Sequence, residues 1–487
     1  MELDKDLASV QEVRNLVATA RKAQAELARL DQGRIDAIVL AMTEAAEKNA
    51  EALARMAVED TGFGVVQDKV TKNRFASRTV YESIRDVKSI GVIREDREKK
   101  IWEAAVPVGV VAGLVPSTNP TSTTIFKSLI SVKAGNAIVF SPHPSAVRCI
   151  AQAARILSEA ACSAGAPQGI LGVMTMPTLP GTQELMKRVN LILATGGTAM
   201  VRAAYSSGTP ALGVGPGNVP AFIERTADIP AAVRRIMASK TFDNGTICAS
   251  EQAIVTEDCI RDEVIAEFRR QGGVFVSGED ARRVEALIRR PGSDTVNPRI
   301  VGQSAQAIAK LAGIQIRADA RVILCQQDRV GLDAPFTMEK LSPLLAFFTE
   351  PDWRAACERC LELLRFGGMG HSLSIHTENQ ELVRTFLVQK PVSRLLVNTS
   401  STQGAIGATT GMMPSLTLGC GAVGGSATSD NVTVHHLFQI RRAAWGLIEP
   451  QSVAGGSAIA SDPDGDVSDA ALETIVQAVL RQLRGLT

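Results

Sequence analysis

Aromatic residues are scarce in this chain, only 4% of its 487 residues, while hydrophobic residues reach 45%. Such a balance suits an α/β protein whose core is built from Ala, Val, Ile and Leu. Net charge is almost absent, 52 Lys and Arg against 51 Asp and Glu, so no global pull toward nucleic acid or anionic lipid exists. The eight cysteines are sparse and lack metal-ligand spacing, and no metal site is expected. Cys357 and Cys360 do form a Cys-x-x-Cys, but in a helical run with no second pair, which reads as one helix face. No run approaches the roughly eighteen apolar residues of a membrane span. The N-terminus, Met1-Glu2-Leu3-Asp4-Lys5-Asp6, is charged and unlike a signal peptide. A soluble protein of a reducing cytoplasm is the expectation. Also missing is a Gly-x-Gly-x-x-Gly fingerprint in the first βα turn, which disfavours a dinucleotide-binding fold of the usual kind.

What is present is alternation. Residues 8 to 58 read as two helices, rich in Ala, Leu, Glu and Arg. Val106–Val115 then has a buried-strand pattern, Ser122–Val132 a helical one, and Ala137–Phe140 is a short strand before a helix over Ser145–Ala164. Gly172–Thr175 and Leu191–Thr195 add two strands, and a second α/β series includes Ala253–Val255, Val274–Val276 and Arg394–Val397. Strands separated by helices imply crossover connections and parallel, doubly wound sheets. Two such α/β domains with a cleft between them are expected, over 1–223 and 224–430. A protruding hairpin near 87–102 and a late strand in 431–446, placed at Asn431–Phe438, would form an oligomerisation surface. Residues 447–466 read as a flexible linker. Beyond it, Leu472, Ile475, Val476, Val479, Leu480 and Leu483 form one apolar stripe on a helix spanning 467–487. That helix either docks on its own body or binds a groove on another protein.

The stretch Phe242-Asp243-Asn244-Gly245-Thr246-Ile247-Cys248-Ala249-Ser250 places a cysteine beyond an Asn-Gly turn among small residues. A thiol there can be reached by an electrophile, although buried cysteines are commonly inert packing. Thr118-Asn119-Pro120 leaves a strand and enters a helix, so Asn119 either caps that helix or points into the cleft. Thr195-Gly196-Gly197-Thr198 also opens a helix, as a pyrophosphate cradle or a plain tight turn.

Six segments in order carry a resemblance. They are Pro-Ser-Thr-Asn-Pro-Thr, Phe-Ser-Pro-His-Pro, Ala-Thr-Gly-Gly-Thr, Gly-Val-Gly-Pro-Gly-Asn, Asn-Gly-Thr-Ile-Cys-Ala-Ser-Glu-Gln and Gly-Gly-Met-Gly-His. Over residues 8 to 446 the chain resembles the aldehyde dehydrogenase superfamily, specifically its CoA-acylating branch of the bacterial-microcompartment propionaldehyde or acetaldehyde type. The resemblance implies Cys248 as nucleophile, Asn119 as oxyanion donor with the Cys248 backbone N–H, and His371 as an aid to thiol transfer or a structural residue. It places NAD and CoA at Thr118, Ser141, Pro142, His143, Gly196, Gly197, Thr198 and Gly215, with Glu339 on the nicotinamide ribose. Hydrolytic relatives keep a glutamate that activates water against the thioester; the matching residue here is Gly213, which cannot act as a base. The implied reaction is oxidation of a short-chain aldehyde to its acyl-CoA through a Cys248 thioester. Alternatives are a substituted substrate such as sulfoacetaldehyde, or a non-acylating enzyme that releases free acid. A scaffolding role is opposed by the intact Cys248, Asn119 and Glu339. The resemblance further implies a homo-oligomer, and residues 467–487 as a peptide that packs into a microcompartment shell protein.

Overall fold

The computed structural model describes residues 4–448 together with 470, 472–474, 476 and 477. Two units separate by their internal contacts. The larger takes Met1–Arg94 and Glu103–Arg441, the smaller Glu95–Trp102 with the described part of Arg442–Thr487.

In the larger unit three helices, not two, come first: Lys5–Leu27, Gln32–Lys48 and Ala50–Thr61. The extra break has local causes. Asp31 caps the second helix by accepting from Arg34 N–H at 2.8 Å, and the Asn49 side chain donates back to Ala45 O at 2.8 Å, closing its end. Val13, Val17, Ala20 and Leu27 form the buried stripe of the first helix.

Fifteen strands follow among the described residues: β1 (Gly91–Asp96), β2 (Ile101–Pro107), β3 (Val110–Val115), β4 (Ala137–Pro142), β5 (Leu171–Val173), β6 (Leu191–Thr195), β7 (Ala211–Val214), β8 (Val219–Ile223), β9 (Glu251–Glu257), β10 (Gly273–Val276), β11 (Val322–Gln326), β12 (Leu344–Glu350), β13 (Gly370–His376), β14 (Val392–Val397) and β15 (Phe438–Ala444). One parallel sheet runs in the order β5-β4-β3-β6-β7, a second in the order β10-β11-β12-β9-β8-β13-β14, and a small third in the order β1-β2-β15. The first sheet changes direction of growth between β3 and β6. At such a switch point the loops leaving adjacent strands diverge, and ligands bind beyond their carboxyl ends. Here those loops are Pro116–Asn119 and Gly196–Gly197. Lys127, fully buried on helix Pro120–Lys133, donates to Leu114 O (2.7 Å) on β3 and Leu193 O (2.8 Å) on β6, tying the two strand ends together.

Three expectations shift. The continuous strand at Val106–Val115 is two strands meeting at Gly109, whose φ is +124°. A Cβ there would lie 2.5 Å from Asn190 Oδ1, so the corner needs glycine. The crossing between the two sheets falls before Val219 rather than at 224, because β8 pairs with β9 and β13. The late strand is Phe438–Ala444, not Asn431–Phe438. Asn431 instead ties down a loop through Ala405 O and Met413 O.

The Cys357–Cys360 segment is one buried face of helix Trp353–Phe366. In the smaller unit Trp445 N–H donates to Lys100 O at 3.1 Å, and the Trp102 and Trp445 rings meet edge to face, centroids 5.3 Å apart. No helix among the described residues is long and apolar enough to cross a membrane. Of the C-terminal stripe, Leu472 and Val476 are exposed; Ile475, Val479, Leu480 and Leu483, and the linker from 449 onward, lie outside the described residues.

Candidate active site

Helix Ile229–Thr241 ends at Phe242, and the chain then turns through Asp243, Asn244 and Gly245, with φ of +50°, +51° and +77°. Left-handed backbone at two non-glycine residues costs on the order of 1–3 kcal/mol each and persists only where surroundings enforce it. The enforcement is visible. Asn244 Nδ2 donates to Gly302 O at 2.9 Å. The buried Asp243 carboxylate accepts from Val65 N–H (2.7 Å), Thr246 Oγ1 (2.6 Å) and Lys69 Nζ (2.9 Å), and also from Lys72 Nζ. This clamped turn delivers Cys248, partly buried, to the boundary between two cavities.

The larger cavity, about 700 Å³, is the cleft above the first sheet. Thr118, Asn119, Ser141, Pro142, His143, Gly196, Gly197, Gly215, Cys248 and Glu339 all line it. Thr198 and His371 do not. The smaller, about 110 Å³, shares Asn119, Thr195 and Cys248 with the first. Its remaining wall is mostly apolar, with Phe75, Phe242, Ile247, Ile406, Leu416 and Leu418, alongside Thr71, Lys72, Thr123 and Gln403.

Asn119 occupies the cap position of helix Pro120–Lys133 but makes no capping hydrogen bond. Its Oδ1 accepts from Lys72 Nζ at 2.7 Å and its Nδ2 donates to Thr118 Oγ1 at 3.2 Å. Of the two uses open to this asparagine in sequence, the cleft is the one adopted. Gly197 begins helix Thr198–Tyr205, likewise without a side-chain cap, so the first N–H groups of that helix carry no side-chain partner beside the cavity. Three glycines in this wall, with nothing near the place of a Cβ at Gly197 and Gly215, leave room for a flat or extended group close to the backbone.

His371 lies behind the cysteine. A Cβ on Gly217 would fall 2.0 Å from Cys248 O and 3.3 Å from His371 Cγ, so the three are stacked where only glycine fits. Burial, with Arg394 adding to it, pushes His371 down to about 3, so the ring is neutral. Its Nδ1 meets Ser372 Oγ at 3.0 Å, and its Nε2 is buried without a protein partner.

Burial raises the Cys248 thiol to about 12, with Glu339 and Cys420 adding to the rise and Arg394 opposing it. The resting group is therefore a thiol, and its proton must leave as it attacks. Among the described residues Glu339 is the one carboxylate lining the larger cavity. Burial lifts it to about 7, against a hydrogen bond from Gly217 N–H at 3.0 Å and the pull of Lys240 and Lys340.

Gly213 is not an open place where a glutamate happens to be missing. A Cβ there would lie 2.8 Å from both the Tyr205 ring and Val201 Cγ1, and Gly213 N–H donates to Tyr205 Oη at 2.9 Å. Tyr205 fills the position. Sequence reading missed this tyrosine, and also Lys69, Lys72 and Asp243. A signal existed for the lysines, which stand three apart on one helix face, but their acidic partner lies more than 170 residues away.

The sequence profile described as the aldehyde dehydrogenase family matches residues 4–313. The chain is 44% identical over 443 residues to the bifunctional aldehyde-alcohol dehydrogenase AdhE of Escherichia coli K12, taking in 90% of this chain and 50% of that enzyme. It thus spans about half the length of that curated relative. Among solved structures, a probable aldehyde dehydrogenase from Listeria monocytogenes EGD-e aligns with a TM-score of 0.91 at 57% identity, over 93% of this chain and 100% of that one. An acetylating aldehyde dehydrogenase from Geobacillus thermoglucosidasius aligns with a TM-score of 0.90 at 52% identity, over 92% and 99%. The matched profile takes in the whole first sheet, the Asn119 loop and Cys248, and the chain belongs to the aldehyde dehydrogenase family.

Proposed function

We propose that this protein oxidises an uncharged short-chain aldehyde to its acyl-CoA through a thioester on Cys248, with NAD as hydride acceptor and CoA as acyl acceptor. The observation that carries the reading is the joint placement of Cys248 and Asn119 between a large cleft and a small apolar pocket, with Tyr205 closing the place of a water-activating glutamate. Cys248 Sγ attacks the aldehyde carbon while the side chain R lies in the smaller pocket. Asn119 Nδ2 and the Cys248 backbone N–H stabilise the oxyanion. Glu339, poised near neutrality in the same cavity, takes the thiol proton and holds the ribose next to the reacting centre. Gly196, Gly197 and Gly215, with Thr118, Ser141, Pro142, His143 and Thr198, would hold NAD, which would accept the hydride that leaves the former aldehyde carbon. Tyr205 fills the place of the glutamate that activates water in hydrolytic relatives and Glu339 already carries the thiol's proton, so the CoA thiol is the nucleophile that resolves the thioester. The CoA thiol's proton ends on the departing Cys248 sulfur, and the neutral His371 behind the cysteine aids that transfer by position rather than as its base. The cycle runs in either direction.

Pocket chemistry selects among aldehydes. Among the described residues the one cation lining the smaller pocket, Lys72, already serves Asp243 and Asn119, which leaves none of them as a free positive group for a sulfonate. Acetaldehyde or propionaldehyde fits the volume and the apolar wall. The test is product analysis with acetaldehyde, propionaldehyde and sulfoacetaldehyde, each with NAD and with or without CoA. Acyl-CoA from the first two, strictly dependent on CoA, supports the reading. Free acid formed at the same rate without CoA would sink it.

Two further proposals concern assembly. β15 is an edge strand, and beside it in sequence Trp445, Leu447 and Ile448 are exposed; we read this segment as a homo-oligomer contact, to be checked by light scattering. Residues 467–487 we read as a peptide for a microcompartment shell protein in the cytoplasm, on their apolar stripe and preceding linker. Their removal should leave kinetics unchanged and abolish co-sedimentation with shell protein.

A further inference from the structure

Lys69 and Lys72 face the active site from helix Val66–Arg74 and are almost fully buried. Their bonds converge on the loop that carries Asn119. Lys69 Nζ donates to Asp243 Oδ2 (2.9 Å) and to Thr118 O (3.0 Å). Lys72 Nζ donates to Asn119 Oδ1 (2.7 Å), to Asp243 Oδ2, and to Thr246 O (3.2 Å) with Thr246 Oγ1 (3.4 Å). Asp243 N–H in turn donates to Asp68 Oδ2 at 2.7 Å, so two lysines and two aspartates are gathered behind the site.

An ammonium has donors and no acceptor. An asparagine held against it can offer only its carbonyl oxygen, and the amide nitrogen must point the other way. One Nδ2 hydrogen reaches Thr118 Oγ1; the other is left for a ligand in the cavities that Asn119 and Cys248 share. Without the lysine the amide could turn over and present a lone pair where a donor is needed.

We infer that Lys72, braced by Asp243, is a positioning residue that sets the Asn119 amide as oxyanion donor. This rests on the role proposed above for Asn119. It also gives the strained turn a purpose: the same Asp243 that pins left-handed backbone in front of Cys248 pins the lysine behind Asn119, so nucleophile and oxyanion donor are referenced to one carboxylate.

The test uses the full-length protein with propionaldehyde, NAD and CoA. Lys72→Met should lower kcat about 10²-fold, the cost of losing one oxyanion donor, with KM for NAD and aldehyde within about twofold. Lys72→Gln, which keeps hydrogen bonding but can both donate and accept, should fall similarly and serves if the methionine variant does not fold. Lys72→Arg should recover part of the loss. Combined with Asn119→Ala, Lys72→Met should add little, because it acts through that residue. A folded Lys72→Met or Lys72→Gln enzyme with wild-type kcat overturns the inference, and so does a full additional loss on the Asn119→Ala background. Should Asn119→Ala itself keep wild-type kcat, the oxyanion reading of Asn119 fails instead, and the two failures are told apart.

Discussion

Cys248 is flanked by two buried acid–lysine groups that behave differently. On the side of the small pocket, Asp243 touches Lys69 and Lys72 directly. Its carboxylate is held below the usual range, while burial lowers Lys72 to about 8 against the pull of Asp243. On the side of the large cleft, Glu339 contacts no lysine; its bond is to Gly217 N–H, and Lys240 and Lys340 act only through space. Lys240 donates to Gln252 Oε1 and Lys340 to backbone carbonyls and Gln252 O. Burial then prevails: Glu339 rises to about 7 and Lys240 falls to about 7. Contact with an opposite charge limits how far desolvation moves a group: Lys72 falls to about 8, Lys240 to about 7. One flank is an ionised clamp across the neutral range. The other is built to titrate within it.

The hardest blow to this contrast comes from the residue between the flanks. Cys248→Ser should reduce acyl-CoA formation to background while NAD binding, followed by fluorescence titration, persists; turnover retained would remove the thioester from the scheme. Next in size is Glu339. In the wild type kcat/KM for NAD should fall about tenfold per unit as pH drops below about 7, because the carboxylate becomes protonated. Glu339→Gln should be slow at pH 8 and lack that acid limb. Its stability carries the opposite sign. A glutamate raised from 4.5 in the unfolded chain to about 7 in the folded one accumulates a penalty between those values that is complete above pH 7. The melting-temperature advantage of Glu339→Gln should therefore grow from pH 5 to pH 8; an advantage that shrank would place Glu339 among the paired groups. A smaller change is expected at the pocket wall. Leu416→Ala should shift relative kcat/KM toward aldehydes one or two carbons longer by roughly tenfold, and an unchanged preference would move the aldehyde elsewhere. Least affected is chemistry at Gly213. Gly213→Ala collides with Tyr205 and Val201 and should cost about 1–3 kcal/mol of stability, measured by denaturant titration, without any release of free acid.

Much of the frame was readable from residue order. β4 and β6 announce themselves as short apolar runs between helices, and helix Pro120–Lys133 by its periodicity. Val106–Val115 was misread because its corner at Gly109 is made by Asn136 and Asn190, side chains well along the chain. Asn431–Phe438 failed for a similar reason: strand-like composition yields where one asparagine is committed to distant carbonyls.

The site divides the same way. The family motifs by themselves determined which residues meet: ten of the twelve named in sequence line one cavity. That the sheets are parallel follows from the alternation of strands and helices, which is local; the order of strands around the switch point appears only in the fold. What only the tertiary structure decided is the state of those residues. Cys248 rests as a thiol, Glu339 titrates near neutrality, and Asn119 faces the cleft because Lys72 faces Asn119. Protonation and amide orientation depend on burial and on contacts between residues far apart in sequence, and linear order encodes neither until the chain is folded.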